Sequence, residues 1–382
     1  MAINLRSPYY TGTAMTNTAS ATLDITIWEG SSALTPLPAP QYSLRKSIIG
    51  TDVKVFFEIS ELIRDYIDIT FDGDYNGKTI WVKTINTAFD SNNIVINSPI
   101  ESAPSLALDG YYYFEEAQLA TPPVLISNRE IFALDDNAFR IPIYTQSQPT
   151  VTFINKGEVV LSESFSSSLN SSDQVKYISV NGSDKNWDSF QERVLSDNSA
   201  SYETNSCIRK FFNTYSIGEV DKVIISSSNS KLQTININLV EECKYQPKKV
   251  TFINKFGVLQ DMYFFKKSVE EMTVSKESYK SNIIGDYGIY NYTNHVNRDF
   301  NVVANESITL SSGYLSEEYN EVFKQLLLSE KVWVTNIIET GEQVLPINVK
   351  TSDITYKTSL NDKLVEYTIE FDKSFDTINN IR

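Results

Sequence analysis

The sequence predicts a mainly β protein made of tandem β-sandwich domains, each of the size of an immunoglobulin or fibronectin type III module, with a few short helices. Three observations support this fold class. The word VTFINK occurs twice, as Val151 to Lys156 and as Val250 to Lys255, and the copies lie 99 residues apart, which is close to the length of one sandwich domain. Aromatic residues make up 12% of the chain and favour half-buried pleated surfaces. Several segments alternate apolar and polar residues with the period of two that strands require.

Three blocks are predicted along the chain. Residues 1–149 form an N-terminal β domain, residues 150–245 form sandwich repeat 1, and residues 246–382 form sandwich repeat 2 with an inserted helix. In each repeat the hexapeptide is followed by a turn near Gly157 or Gly257 and then by a second apolar segment. This pattern predicts a β-hairpin at the start of each repeat.

The first block is predicted to contain strands with a short helix between them. Residues 21–28, 53–59 and 78–85 have the alternation of strands. After the second of these segments, apolar residues recur at helical spacing, and Ser60 is placed to cap the helix. The predicted helical face consists of Ile59, Leu62, Ile63, Tyr66 and Ile67.

The longest helix is predicted near residues 316–329, in the third block. Ser316 is its predicted N-cap, and Glu317 and Glu318 fall in its first turn, where acidic residues favour the helix dipole. Its apolar stripe consists of Leu315, Tyr319, Val322, Phe323, Leu326 and Leu327. Strands are predicted at residues 234–240 before this helix, and at 331–335, 343–349 and 364–371 after it.

The charge pattern disfavours general DNA binding. The formal net charge is −15, whereas affinity for DNA depends on the neutralisation of phosphates by Lys and Arg. Six lysines around the second hexapeptide are the main local exception. They are either solvated lysines that protect strand edges or a contact for an acidic partner surface. These residues are Lys244, Lys248, Lys249, Lys255, Lys266 and Lys267.

Cysteine content and hydropathy indicate where the chain folds. Only Cys207 and Cys243 are present, too few for a disulfide framework, which favours a reduced intracellular compartment. The N-terminal residues lack the apolar core of an export signal, and no segment approaches the roughly 20 apolar residues that span a bilayer. We therefore expect a soluble protein without membrane insertion.

The chain contains no recognisable catalytic motif, and we expect neither an enzyme nor a cofactor. Its single histidine, His295, has no accompanying nucleophile motif and is interpreted as an ordinary loop residue. Asp72, Asp74 and Asn76 match the first half of a calcium loop, but Lys83 occupies the twelfth position, where a bidentate carboxylate is needed. A hairpin turn rich in Asp, Asn and Gly is therefore the preferred interpretation, and no metal site is predicted.

Four segments resemble virion structural proteins of crAss-like and related short-tailed bacteriophages of Bacteroidetes. They are NLRSPYY, FEISELIRDYI, CKYQPKKVTFINKFGVLQDMYFFKKS and TSLNDKLVEYTIEFDKSF. Together they cover about a quarter of the chain, and none is a catalytic signature. The resemblance implies a neck or tail component, present in several copies as a ring between portal and tail and around the path of the DNA. It also implies assembly into the virion in the host cytoplasm, with other neck, tail or portal proteins as partners.

Four aromatic residues are candidate interface positions. Tyr9 and Tyr10 precede the first clear strand, where they either anchor an arm in the pocket of a neighbour or fold back onto their own domain. Phe264 and Phe265 are adjacent, so on a strand one would face the core and the other could meet a second domain or subunit. The competing functional class is a carbohydrate-binding adhesin or tail module with aromatic platforms. The tyrosine-rich stretches at residues 111–113 and 287–292 keep that alternative open.

Overall fold

The computed structural model of the chain describes residues 2–48, 54–75, 80–116, 120–134, 139–144, 149–164, 175–180, 220–227, 230–282, 284, 287–289, 292–338, 341–355 and 364–378. The protein is mainly β, with 52% strand and 5% helix, and the predicted fold class is confirmed at that level. The chain forms two compact units. Unit 1 consists of Met1–Glu241, Thr251–Met262 and Glu318–Ser329, and unit 2 consists of Glu242–Val250, Tyr263–Glu317 and Glu330–Arg382. The tandem sandwich arrangement and the boundaries after residues 149 and 245 stay predictions.

Unit 1 begins with a mixed sheet and a separate pair of antiparallel strands that are distant in the chain. The elements in chain order are β1 (Ile3–Asn4), β2 (Tyr10–Thr13), β3 (Ser20–Glu29), β4 (Tyr42–Ser47), β5 (Val55–Glu58), α1 (Ser60–Arg64), β6 (Ile80–Phe89), β7 (Ile100–Glu101) and β8 (Ser105–Leu108). The sheet has the order β1-β8-β6-β3-β4, with β7 also paired to β6, whereas β2 pairs with β5 alone. The predicted strands are found as β3, β5 and β6, although residues 53, 78 and 79 lie outside the described residues, and the predicted helix is found as α1, which ends before Tyr66 and Ile67.

The core of this part of unit 1 follows from the alternation in β3. Ala21, Leu23 and Ile25 are fully buried because successive side chains of a strand point to opposite faces. They pack against apolar residues of β5 and α1, which include Ile59 and Ile63. Burial of each such side chain contributes roughly 1.5–3 kcal/mol.

The cap of α1 differs from the prediction. Ser60 is the first residue of the helix rather than its cap. The carboxylate of Glu58 takes that role, because its Oε1 accepts the backbone N–H of Ser60 at 2.9 Å. The hydroxyl of Ser60 donates to the same oxygen. A carboxylate at this end of a helix satisfies free N–H groups and interacts favourably with the helix dipole.

The following strands build a second sheet in unit 1 and the second repeat hairpin. They are β9 (Glu130–Leu134), β10 (Phe139–Tyr144), β11 (Thr150–Asn155), β12 (Glu158–Ser164), β13 (Val175–Val180), β14 (Lys222–Ser227), β15 (Ser230–Val240), β16 (Lys248–Ile253) and β17 (Leu259–Phe264). One sheet has the order β12-β11-β14-β15-β9, and β10 pairs with β13. The predicted strand at 234–240 is confirmed, with Ile235 and Ile237 buried.

The remaining elements complete the chain. They are β18 (Ser268–Lys280), β19 (Asn297–Ser311), β20 (Leu315–Ser316), α2 (Tyr319–Leu327), β21 (Val332–Ile338), β22 (Gly341–Val349), β23 (Leu364–Val365) and β24 (Thr368–Lys373). The largest sheet has the order β17-β16-β21-β22-β24-β19-β18, and β20 pairs with β23.

The two hexapeptides have equivalent positions in their sheets. Each forms a strand, β11 or β16, that lies between an edge strand formed by the next segment and the first strand of a later hairpin. Val and Phe of each word are buried, as Val151 and Phe153 in the first copy and as Val250 and Phe252 in the second. The sheets differ at the fifth strand, which is β9 in one and β24 in the other. The two hexapeptide strands therefore share an order of four neighbouring strands, and the duplication of a whole unit stays a prediction.

The turns of the two repeat hairpins differ by one residue. In the first, Lys156 and Gly157 both have positive φ, 50° and 88°, as a two-residue turn of type I′ requires. In the second, Phe256 is added ahead of Gly257, which has a φ of 75°. A three-residue loop ending on a left-handed glycine is the next most common hairpin connection.

Helix α2 confirms the predicted helix, although it begins at Tyr319. Ser316 is not its N-cap, because it lies in β20 and pairs with Leu364. The helix belongs to unit 1. The ring of Tyr319 contacts that of Phe132 in β9, with centroids 5.6 Å apart, and its hydroxyl accepts the backbone N–H of Phe132 at 3.0 Å.

Candidate interaction surface

The N-terminal segment folds onto unit 1 instead of extending as an arm. Ala2, Ile3 and Leu5 are buried, and β1 pairs in parallel with β8. Tyr9 is half-buried against the core, whereas Tyr10 is 62% exposed. The alternation of a strand explains the difference between these neighbours. Tyr9 thus packs on its own unit, and the interface role of Tyr9 and Tyr10 stays a prediction.

An exposed aromatic surface surrounds Tyr10, and we call it the Tyr10 face. It consists of Tyr10 and Gly12 on β2 and Phe56 on β5, which pairs with Gly12 and is 47% exposed. A Cβ atom at Gly12 would lie 2.0 Å from the carbonyl oxygen of Val55 and 2.9 Å from the Phe56 ring, so glycine allows the close approach of β5 and of this ring to β2. The Tyr10 face therefore depends on three residues of two paired strands.

Two lysines border the Tyr10 face. The Nζ of Lys46 on β4 donates to the carbonyl oxygen of Phe56 at 3.0 Å. Lys54 is exposed and precedes Phe56 by two residues. In a chain with a net charge of −15, the exposed aromatic rings form a local apolar surface with two lysines at its border, and Glu58 is the acid on the same face, paired directly with Tyr10. The sequence signal was the Phe-Phe pair in β5, of which strand alternation buries only Phe57.

Phe264 and Phe265 are both buried in unit 2, with Phe265 only 3% exposed. Phe264 contacts Phe371 edge-on, with centroids 6.1 Å apart. Phe265 follows the end of β17 and stacks on Tyr263 at 6.0 Å. Neither ring is exposed to a second subunit, because side chains on both faces of the end of β17 are buried, as Met262, Tyr263 and Phe264 in succession show.

An exposed surface of unit 2 is formed by the outer parts of β18 and β19. We call residues 269–280 and 297–306 the ribbon. Every residue from 269 to 280 is exposed, and β24 pairs with β19 only at residues 307–311. Met272 is 61% exposed, and Val274, Tyr279 and Phe300 are also exposed. Tyr279 and Phe300 contact each other edge-on at 5.6 Å, and their outer surfaces face solvent.

The ribbon has an irregularity in its middle. The pairing of β18 with β19 shifts between Ser275 and Glu277, and Asn301 on the opposite strand has a φ of 54°. This is the geometry of a β-bulge, which increases local twist. Lys276 beside the bulge forms an ion pair with Asp299 at 2.7 Å.

The loop that joins the two strands of the ribbon also exposes aromatic residues. Tyr287 and Tyr292 are each 91% exposed, and Ile284 and Ile289 are exposed beside them in sequence. His295 is exposed in the same loop, as its interpretation as a loop residue implies. Exposed apolar residues therefore continue from the ribbon into its loop.

A polar cluster in unit 1 is formed by residues to which the sequence patterns gave no role. The Nζ of Lys255 lies 3.1 Å from Glu116 and 5.2 Å from the centroid of the Tyr113 ring. The Tyr113 hydroxyl donates to Glu321 of α2 at 2.8 Å. Burial and this hydrogen bond raise the pKa of Tyr113. These contacts tie the segment after β8 to the second hexapeptide and to α2, and they indicate a structural role.

The same cluster changes the interpretation of two sequence features. Tyr111 is buried, and burial raises its pKa to about 12, so Tyr111 and Tyr113 do not form an exposed platform. Among the six lysines, Lys255 pairs within unit 1 and Lys266 pairs with Glu242 at 2.8 Å within unit 2. Both lysines thus bind acidic side chains of the same chain. No acidic partner protein is needed to explain their charge at these two positions.

A second buried cluster in unit 1 is centred on Asp261 of β17. Its Oδ1 accepts the hydroxyl of Tyr75 at 2.5 Å and that of Thr251 at 2.8 Å. The guanidinium of Arg140 lies 5.2 Å from the Tyr75 ring centroid. Burial and the nearby Asp261 carboxylate raise the pKa of Tyr75, so the phenol stays protonated and donates this hydrogen bond.

The calcium-loop fragment forms a local turn where it is described. The backbone N–H of Asp74 donates to Asp72 Oδ1 at 3.0 Å, and Gly73 has a φ of 110°. Asn76 lies outside the described residues. Within the described part of the chain, no group of three or more His, Cys, Asp or Glu side chains is arranged to hold a metal ion.

The chain matches no protein-family model and no curated protein sequence. Neither of the two helices in the described segments is long and apolar enough to cross a membrane.

Cys243 is a free and exposed cysteine, and Cys207 lies outside the described residues.

Proposed function

We propose that the chain is a non-enzymatic structural protein of a bacteriophage virion, which forms a ring in the neck or tail, links portal and tail, and surrounds the DNA path. The observation that carries this proposal is the ribbon. The resemblance of four sequence segments to such virion proteins gives the biological setting, which includes assembly in the host cytoplasm. The ribbon supplies the physical reason why this chain needs neighbours.

A two-stranded ribbon is only marginally stable in water without a third strand or a packed face. Here the ribbon nevertheless carries Met272, Val274, Tyr279 and Phe300 on its surface. Contiguous exposed apolar residues of this kind mark protein interaction surfaces. A partner that covers them stabilises the ribbon by roughly 25 cal/mol for each Å² of apolar area removed from water.

The charge of the chain fits a location beside DNA without tight binding to it. A net charge of −15 repels phosphates over about one Debye length, roughly 8–10 Å at physiological ionic strength. A ring with an acidic lumen would let DNA pass without holding it. Other virion neck, tail or portal proteins are the expected partners on the two sides of the ring.

The test is the mass and symmetry of the purified protein. We expect closed rings in negative-stain images and a mass of several chains by light scattering. Met272→Ser with Val274→Ser should reduce ring formation, whereas Ile94→Ser should not, although Ile94 is as exposed as Met272. A protein that stays monomeric at high concentration, or a ribbon variant that assembles like the Ile94→Ser control, would contradict the proposal.

A second candidate function is carbohydrate binding by the loop of the ribbon, because Tyr287 and Tyr292 expose aromatic rings that could stack on sugars. This function predicts glycan-array binding by the monomer. It further predicts that Tyr287→Ser with Tyr292→Ser abolishes this binding. Rings without glycan binding would favour the structural role.

A further inference from the structure

We propose that the ribbon of one copy docks on the Tyr10 face of the next copy, in a head-to-tail contact. This inference rests on the proposed self-assembly and specifies its interface. The occupant of each surface is thus a second copy of this chain. The ribbon and the Tyr10 face are both exposed, and they are formed by different residues. A head-to-tail contact requires two such different surfaces.

The first argument is chemical complementarity. Met272 and Val274 are two residues apart on β18 and therefore share a face with Glu270, which is also exposed. The Tyr10 face offers the rings of Tyr10 and Phe56 as apolar partners. Aromatic rings of this kind are common anchors in protein interfaces.

The second argument is charge. Lys46 and Lys54 border the Tyr10 face, and Glu270 and Glu271 are exposed beside Met272 at the start of the ribbon, whereas Lys276, Glu277 and Lys280 alternate in charge further along β18. Two chains that each carry a net charge of −15 repel each other overall. The basic border of one surface and the acidic residues beside Met272 on the other reduce this repulsion locally and orient the contact.

The third argument is closure. A contact between two different surfaces repeats from one copy to the next, and it forms a ring when the rotation closes. A contact of the ribbon with the ribbon of another copy would instead pair two copies about a two-fold axis and stop there. The ring geometry of the proposed function thus favours the Tyr10 face over a second ribbon as the docking site.

The test uses two variants that each lack one surface. The face variant carries Tyr10→Ser and Phe56→Ser, and the ribbon variant carries Met272→Ser and Val274→Ser. Each should remain folded by circular dichroism, because the changed side chains are exposed. Each alone should self-associate at least about thirtyfold more weakly than the wild type, the loss typical of interface anchors.

An equimolar mixture of the two variants gives the decisive result. The mixture retains one intact surface on each partner, so we expect it to form one-to-one dimers that grow no further. Dimers in the mixture, with monomers in each variant alone, would support the contact. A mixture that stays monomeric, or single variants that still form rings, would overturn it.

Charge exchange provides an independent control. Lys46→Glu with Lys54→Glu should weaken assembly, and Glu270→Lys with Glu271→Lys in the same chain should restore it. Lys156→Glu, at an exposed lysine elsewhere in unit 1, should have no effect. If the wild type forms rings but the exchange does not restore assembly, the docking site is wrong and the proposed function stands. A monomeric wild type would instead refute the proposed function itself.

Discussion

The two left-handed glycines of the repeat hairpins allow a matched test of packing in unit 1. Both turns contain a glycine with positive φ, Gly157 at 88° and Gly257 at 75°. A Cβ atom at Gly157 would meet nothing within 4 Å. At Gly257 it would lie 2.4 Å from the backbone nitrogen of Gly110 and 2.5 Å from that of Asp109. Replacement by alanine should therefore be tolerated at one turn and not at the other.

The expected loss of stability follows from two contributions. A left-handed conformation costs an L residue about 1–2 kcal/mol, and the smaller entropy of the unfolded chain offsets about 0.4–1 kcal/mol of this cost. Gly157→Ala should therefore lower the free energy of unfolding by about 1 kcal/mol. At Gly257 the backbone must also move, which adds about 1–3 kcal/mol. We expect a loss of about 2–4 kcal/mol for Gly257→Ala.

Urea denaturation followed by tryptophan fluorescence measures both variants. Trp28 and Trp81 are buried in unit 1 and report its unfolding. With a slope of about 3 kcal/mol per M urea, the midpoint should fall by about 1 M for Gly257→Ala and by about 0.3 M for Gly157→Ala. Equal shifts for the two variants would show that the turn at Gly257 does not approach residues 109 and 110 so closely.

Two further predictions concern unit 2. Phe264→Ala should lower stability by about 3–5 kcal/mol through a core cavity, and a change in ring assembly without loss of thermal stability would contradict this. The Lys266 ammonium lowers the pKa of Glu242 below its usual 4.5. Stability from this pair is therefore complete above pH 4.5 and declines as the pH falls below it. Lys266→Met should lessen this decline in urea midpoints between pH 5 and pH 3. An unchanged pH profile in Lys266→Met would assign the decline to other groups.

The spacing of apolar residues predicted most strands and helices, because this spacing reflects which side of each element is buried. The alternation in β3 and the apolar stripe of α2 each placed the correct residues in a core. Ser316 was misassigned because the pairing of β20 with β23 competes for it, and such pairing between distant segments leaves no local signal. Phe265 is buried because both faces of this part of the chain are covered, and a pair of adjacent aromatic residues does not reveal from sequence alone that the second face is covered.

The candidate surfaces were harder to predict than the fold. The polar residues of β18 resemble the solvent-facing side of a strand whose other side is buried. The sequence therefore does not reveal that both faces of this strand are exposed. Tyr10 was identified from its aromatic character, but its neighbour Phe56 comes from β5, 46 residues later. Only the pairing of β2 with β5 brings the two rings to one surface.

The bulge in the ribbon disfavours amyloid-like stacking of the exposed strand β18. β18 is the terminal strand of its sheet, and a flat, open strand of this length would template indiscriminate growth by backbone pairing. The shifted pairing at Ser275 twists this edge, and Lys276 and Lys280 place charge along it. The bulge and these charges therefore disfavour flat, in-register stacking of β18 on copies of itself.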